Sequence, residues 1–335
     1  MGWQINYTSI LKDQMLLDKI HLTQFDQDGY LVLEDILDYQ KDLQPIVDEY
    51  GNLIDDLAQK WYDEGTLSSN YKNVPLEEKI CAIAKETEGK YYSWIDISFT
   101  ESQFGVEDRI HNGEAVFNLL KNPRLLDMIE QVIGPEIFSN PVQHVRIKPP
   151  EHFLSAEARD NTYTGKTFWH QDLGAVTDEA DNSNILTVWV PITVANTNNG
   201  CLQVVRGSHK NGLGLHCFGK EQVQGIPEDR ISGEIVSLPM NPGDILFMNK
   251  LTAHTSLRNT SDEIRWSFDL RYNPIGEPTG RSWFPGFVAR SRANPDSELH
   301  DFREWGKLWS DTAVKLTEIN SPDFRRWDPE DPLCA

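Results

Sequence analysis

The chain has little positive charge, few cysteines and no long apolar run. Against 52 acidic residues it carries 31 basic ones, a formal net charge of -21 over 335 residues. That imbalance opposes binding to nucleic acid or to anionic membrane surfaces. The four cysteines, Cys81, Cys201, Cys217 and Cys334, are scattered and form no Cys-x-x-Cys pair. Neither a zinc site nor a disulfide framework is therefore expected, and a reducing compartment fits. No apolar stretch is long enough to span a bilayer, and Met1 to Asn6 lack both a signal-peptide core and a myristoylation motif. These absences predict a cytoplasmic protein that engages neither nucleic acid nor membrane. They leave its oligomeric state open.

Repeats, low-complexity segments and obvious linkers are also lacking, so one domain over 1–335 is the simplest organisation. Leu43, Ile46, Val47, Tyr50, Leu53, Ile54, Leu57 and Trp61 recur at helical spacing, predicting an amphipathic helix from about 42 to 64 that backs a sheet. A second helical region runs over 114–133, where Pro123 can open its second helix and Gly134 can end it. Residues 1–137 thus read as a helical layer with the first strands. From about Phe138 the chain turns strand-rich with short turns, which suits a double-sheet jelly roll, mostly β with flanking helices and cupin-like, over 138–273. The polar stretch 151–167 suggests a flap. Beyond Tyr272, glycines and prolines punctuate an irregular segment suited to covering the barrel mouth, and Leu299, Phe302, Trp305, Leu308 and Trp309 suggest a closing helix, which together fill 274–335.

What the sequence does hold is His170-Gln171-Asp172, followed 82 residues later by His254 and after 11 more by Arg265. With 9 His and 28 Asp in the chain, about 0.75 His-x-Asp matches arise by chance, so the context decides. In a strand, residues i and i+2 share a face, which would turn His170 and Asp172 toward one metal and Gln171 away. Two imidazoles and one carboxylate leave three adjacent positions open on an iron, the arrangement of non-haem Fe(II) oxygenases: two to chelate a 2-oxo acid, one for dioxygen. The context is ordered: a buried strand over 185–192, a turn at Asn198-Asn199-Gly200, a strand over 201–205, the Pro242-Gly243-Asp244 turn launching a strand over 245–248, and a last strand over 264–272 that carries Arg265.

The words Trp169-His170-Gln171-Asp172, Asn199-Gly200-Cys201-Leu202, Gly207-Ser208-His209-Lys210 and Pro242-Gly243-Asp244, in this order and after the Leu22 to Leu33 segment, resemble the phytanoyl-CoA dioxygenase family of Fe(II)- and 2-oxoglutarate-dependent oxygenases. The resemblance runs from Leu22 to about Tyr272. It implies that His170, Asp172 and His254 ligate Fe(II), that the planar fork of Arg265 binds the distal carboxylate of 2-oxoglutarate, and that Ser256, Trp189 and Lys148 line the same cosubstrate site. His209 belongs to a structural turn and stays out of the metal site. Related halogenases replace the carboxylate by a small residue, so Asp172 disfavours halogenation.

By strand alternation His144, Arg146 and Lys148 share a face, as do Arg265 and Arg271, which makes His144, Arg146 and Arg271 candidate substrate contacts; the competing role is a solvated edge strand for His144 and Arg146 and a structural ion pair for Arg271. The expected activity is hydroxylation of an unactivated carbon of a small molecule, with 2-oxoglutarate converted to succinate. Desaturation or cyclisation by the same chemistry, an acyl-CoA substrate, a cupin-like metalloenzyme that does not use 2-oxoglutarate, and a non-catalytic binding module are the alternatives. The acidic surface disfavours the polyanionic coenzyme A.

Overall fold

The computed structural model describes residues 17–99, 110–161, 163–218, 224–318 and 326–334; the N-terminal reading at Met1 to Asn6 lies outside them. Its strands are β1 (Tyr30–Leu33), β2 (Glu136–Ser139), β3 (His144–Lys148), β4 (Thr167–His170), β5 (Leu186–Pro191), β6 (Leu202–Val205), β7 (Cys217–Phe218), β8 (Gln224–Gly225), β9 (Ile235–Leu238), β10 (Ile245–Asn249), β11 (His254–Ser256), β12 (Arg265–Pro274) and β13 (Phe287–Ser291). Among the described residues, one sheet runs β1-β10-β5-β12-β2-β13, with β3 also paired to β12. A second runs β4-β11-β6-β9, and β7 with β8 forms a short ribbon. All pairings between named strands are antiparallel. These facing antiparallel sheets with flanking helices are the jelly-roll, cupin-like architecture.

Strand alternation divides the interior. On β12, Trp266, Phe268, Leu270 and Tyr272 join the large core beneath the helices, whereas Arg265, Ser267, Asp269 and Arg271 take the opposite face. On β10, likewise, Ile245 and Phe247 belong to that large core, and Leu246 and Met248 to a second one with Trp189. The helix Gln44–Asp63 lays Ile46, Tyr50, Ile54 and Trp61 against the sheet. Tyr50 meets Trp266 edge-on at 5.0 Å and Phe268 at 6.1 Å. Asn122 caps the helix Pro123–Ile133 from its side-chain oxygen, and Gly134, at φ 93°, ends it.

Two loosely punctuated segments take definite structure, and one expectation needs correction. The segment 151–167 folds into a turn at Glu151–Phe153 and a helical turn at Ala156–Arg159, tied down by Arg258, which pairs with both Glu151 and Asp160. Part of the irregular segment after Tyr272 is β13, which pairs with β2 at the sheet edge, while Gly280 and Arg281 lie on the segment that follows Asp172, bonded to the Thr177 amide and the Ala175 carbonyl. The helix Phe302–Glu318 follows β13. Finally, Cys217 and Cys334, 117 residues apart, form a disulfide, leaving Cys81 and Cys201 as buried thiols. Their spacing gives no hint of it, because only the return of the C-terminal segment brings the two together.

Candidate active site

Two neighbouring strands of the smaller sheet, the edge strand β4 and β11 beside it, bring the imidazoles together. His254 on β11 stands opposite His170 on β4, with ring centroids 4.1 Å apart. Each ring is oriented by the carbonyl two residues before it: His170 Nδ1 lies 2.8 Å from the Phe168 oxygen and His254 Nδ1 lies 3.0 Å from that of Thr252. With Nδ1–H donating in both, each Nε2 keeps a free lone pair. The chain leaves β4 through Gln171 at φ -116° and ψ 139°, and Asp172 opens a 3-10 turn. Gln171 points away and is held on the far side by the carbonyls of Gly212 and Leu251 and the amide of Gly214. One ligand atom from each of His170, Asp172 and His254 falls within 4.8 Å of the others.

Electrostatics favour the ligating forms. Burial and then the neighbouring His254 push the His170 pKa down to about 3, so the ring is neutral. Burial alone would raise the Asp172 pKa, but the charge of Arg271, the two imidazoles and the Thr187 hydroxyl outweigh it and hold the carboxyl below its usual range. Both of its oxygens are engaged, one by Arg271 and one by Thr187. Borderline nitrogens with one ionised carboxylate suit Fe(II).

The floor of the same cavity is built from β12, β3 and β11. Arg265 is fully buried. Its Nη1 donates to Ser267 at 2.5 Å, while Nε and Nη2 find no hydrogen-bond partner among the described residues. Burial lowers its pKa to about 10, which leaves it charged at neutral pH. Lys148, directly across from Arg265 in the β3–β12 register, donates to Thr167 at 2.9 Å and to Ser256 at 2.6 Å. Burial, then the charges of Arg265 and Arg146, push the Lys148 pKa well below the normal range. Trp189 stands beside Arg265, 5.7 Å from the guanidinium carbon, and its indole nitrogen also lacks a partner. An unpaired buried guanidinium is costly. A bound carboxylate is the group that would satisfy its two nitrogens.

The candidate substrate contacts are placed differently. His144 Nδ1 is 2.7 Å from Asp96, Arg146 pairs with Asp269 at 2.5 Å, and Arg271 is shared between Asp172 and the Val142 carbonyl. Each is tied to an internal carboxylate instead of presenting a free charge, because groups this deep need partners. Sequence reasoning missed Thr187, Thr167, Ser267 and His216. Thr187 was within reach, lying two residues before Trp189 on the same strand face. The others depend on register or tertiary contact. His209 lies against the opening helix, its Nε2 3.0 Å from the Asp26 carbonyl, and its neighbour Ser208 accepts from the Ala253 amide at 2.9 Å, steadying the entry to His254.

Comparison with known proteins agrees with this architecture. The chain is 24% identical over 263 residues to a 1-deoxypentalenic acid 11-beta-hydroxylase of Streptomyces arenae, covering 73% of this chain and 85% of that one. It is 27% identical over 190 residues to the peroxisomal phytanoyl-CoA dioxygenase of Bos taurus, 53% of each chain. Among solved structures, the non-heme monooxygenase ThoJ superposes with a TM-score of 0.53 at 16% identity, covering 88% of this chain and 98% of that one. EctD from S. alaskensis, solved with 2-oxoglutarate and 5-hydroxyectoine, does so with a TM-score of 0.50 at 20% identity, covering 86% of each. The family model for phytanoyl-CoA dioxygenase (PhyH) matches residues 25–267, and the chain belongs to that family.

Proposed function

We propose that this chain is an Fe(II)- and 2-oxoglutarate-dependent dioxygenase that hydroxylates an unactivated carbon of a small molecule. The observation that carries the reading is Arg265, charged, buried and missing two hydrogen-bond partners, at the floor of a cavity whose other end gathers His170, Asp172 and His254. Iron held by those three residues would supply the open positions at which 2-oxoglutarate and dioxygen meet, so that the oxo acid leaves as succinate and carbon dioxide while one oxygen atom enters the substrate.

The protein's own contribution is placement. Arg265 takes the distal carboxylate through Nε and Nη2, Ser256 and Lys148 border the same position, and Trp189, Leu202 and Met248 supply an apolar wall that excludes water. Arg271 and Thr187 fix the orientation of Asp172, leaving its remaining lone pairs for the metal.

The substrate we favour is a free small molecule in preference to a coenzyme A thioester. The name of the Streptomyces relative is that of a hydroxylase acting on a free acid; those of the bovine relative and its kin refer to an acyl-CoA. Here Arg146 and Arg271 are spent on Asp269 and Asp172, and the net charge is -21, so little positive charge is left for coenzyme A phosphates. Among the described residues no helix is long and apolar enough to cross a membrane, and the chain acts as one domain. Anaerobic titration of the apo-protein with Fe(II) and 2-oxoglutarate tests the reading: a visible charge-transfer band is expected, followed in air by substrate-dependent succinate. Iron uptake with no band would redirect it to a cupin-like enzyme that does not use 2-oxoglutarate.

A further inference from the structure

Beyond residues 25–267, which the family model matches, the chain returns to the metal-bearing segment. Arg326 donates to the Leu173 carbonyl at 3.3 Å and pairs with Asp181 at 2.7 Å. Trp327 donates from its indole nitrogen to the Gly174 carbonyl at 2.8 Å, and its ring stacks on His216 with centroids 5.0 Å apart and planes 22° from parallel. Cys334 is bonded to Cys217, the residue after His216. Three residues of the tail therefore grip the two residues that follow Asp172 and the one ring behind them.

His216 is 1% exposed and has both nitrogens assigned by its neighbours. Nδ1 lies 2.9 Å from the Gly214 carbonyl and so carries the proton; Nε2, 3.0 Å from the Gln171 nitrogen, accepts that backbone N–H. Gln171 is the residue between the two candidate ligands His170 and Asp172. Gly174 presses so closely on the ring that a Cβ there would collide with it. None of His216, Arg326, Trp327 or Cys334 lines the cavity shared by the candidate ligands, so their contacts bear on the site through the backbone alone.

We propose that residues 326–334, locked by the Cys217–Cys334 disulfide, form a thiol-sensitive clasp on the iron site, and that His216 is the positioning residue through which the clasp fixes the main chain between His170 and Asp172. The proposal rests on the reading of these residues as an Fe(II) site. A disulfide across 117 residues holds the tail against the body of the protein. A dithiol reductant gives two electrons to the S–S bond and, with two protons, leaves Cys217 and Cys334 as thiols while it closes to its own cyclic disulfide. Among the described residues the tail is then held only by the hydrogen bonds and ion pair of Arg326 and Trp327 and by Arg230 on the Leu333 carbonyl, the stack behind His216 loosens, and Gln171 loses its fixed acceptor.

The test uses the full chain. Thiol counting under denaturing conditions should give two reactive thiols before reduction and four after, since Cys81 and Cys201 are free; four before reduction overturns the clasp. The Fe(II) dissociation constant is then measured anaerobically by competition with a chromogenic chelator. His216→Ala should weaken Fe(II) binding by roughly tenfold, in the range for loss of an outer partner of a metal site, and His216→Gln, whose side-chain oxygen can accept the Gln171 N–H, should recover most of it. Dithiol treatment of wild type and Cys334→Ser should each weaken binding by a few-fold, and the variant should no longer respond to the reductant. Cys334→Ser keeps the test open if His216→Ala does not fold. Unchanged Fe(II) affinity in reduced wild type and in Cys334→Ser would overturn the clasp alone, whereas no Fe(II) uptake by the oxidised wild type would sink the iron-site reading itself.

Discussion

At the metal end of the cavity both oxygens of Asp172 and the Nδ1 of each imidazole are partnered within the protein, and of the Arg271 guanidinium only Nε is not, whereas at the floor two nitrogens of Arg265 and the indole nitrogen of Trp189 lack partners among the described residues. The metal end carries two Nδ1–H groups on their own carbonyls and a carboxylate held by Arg271 and Thr187. It is organised before anything binds. The floor is organised around an absent anion, with Arg265 charged and buried and Lys148 resting on two hydroxyls. The contrast teaches that ligand geometry can be stored as satisfied bonds, while specificity for a dicarboxylate is stored as unsatisfied ones.

The strongest break of the contrast is Asp172→Ala. It removes a ligand and leaves Arg271 buried without its carboxylate, so Fe(II) affinity should fall by more than the roughly 10–100-fold typical of losing an outer partner, with succinate formation abolished; equilibrium dialysis with Fe(II) checks it. Next comes Arg265→Ala, which should leave Fe(II) uptake in place and raise the 2-oxoglutarate dissociation constant by roughly 10–100-fold, the equivalent of about 1.5–3 kcal/mol for hydrogen bonds to a charged group. An anaerobic charge-transfer titration reads this directly.

Lys148→Met separates the two ends further. Because burial already opposes the ammonium, removing it should leave the thermal midpoint of the apo-protein unchanged or higher, with Thr167 and Ser256 still bonded to each other at 2.9 Å. 2-Oxoglutarate binding should weaken by a few-fold. A large fall in the midpoint would show that Lys148 is part of the scaffold instead.

The metal end should also be the acid-sensitive one. His170 and His216 have folded pKa values of about 3 and about 4, both below the ordinary 6.5. Between those values and 6.5 the unfolded chain binds protons that the folded chain refuses, so apo-protein stability is greatest above about 6.5 and is lost as pH falls toward 3. His216 alone accounts for on the order of 3 kcal/mol of that fall. Denaturant unfolding across this window should show the fall, and His216→Gln should shrink it.

Much of this arrangement could be read from the sequence because it follows period and order. Alternation placed Arg265 and Arg271 on one face of β12 and His144, Arg146 and Lys148 on one face of β3, and the helical spacing of Ile46, Tyr50, Ile54 and Trp61 marked the helix that backs the sheet. The resemblance joined His170 and Asp172 to His254, which strand register sets face to face. What stayed hidden depends on tertiary return. Alternation names the face of Arg271 but not its partner, which is Asp172. Glycines and prolines before Phe287 disguised a strand as loop, and Cys217, His216 and Trp327 meet only because a segment more than 100 residues downstream folds back.

The central claim is that the unpartnered nitrogens of Arg265 await a second carboxylate. It is tested most directly by titrating the Fe(II)-loaded wild type and Arg265→Ala, without oxygen, with 2-oxoglutarate and with pyruvate, which has the oxo acid but no distal carboxylate. The account predicts that wild type binds 2-oxoglutarate at least about tenfold more tightly than pyruvate, as one or more charge-assisted hydrogen bonds would give, and that Arg265→Ala loses this preference. Equal affinity for the two acids in wild type, or a preference that survives in Arg265→Ala, would contradict it.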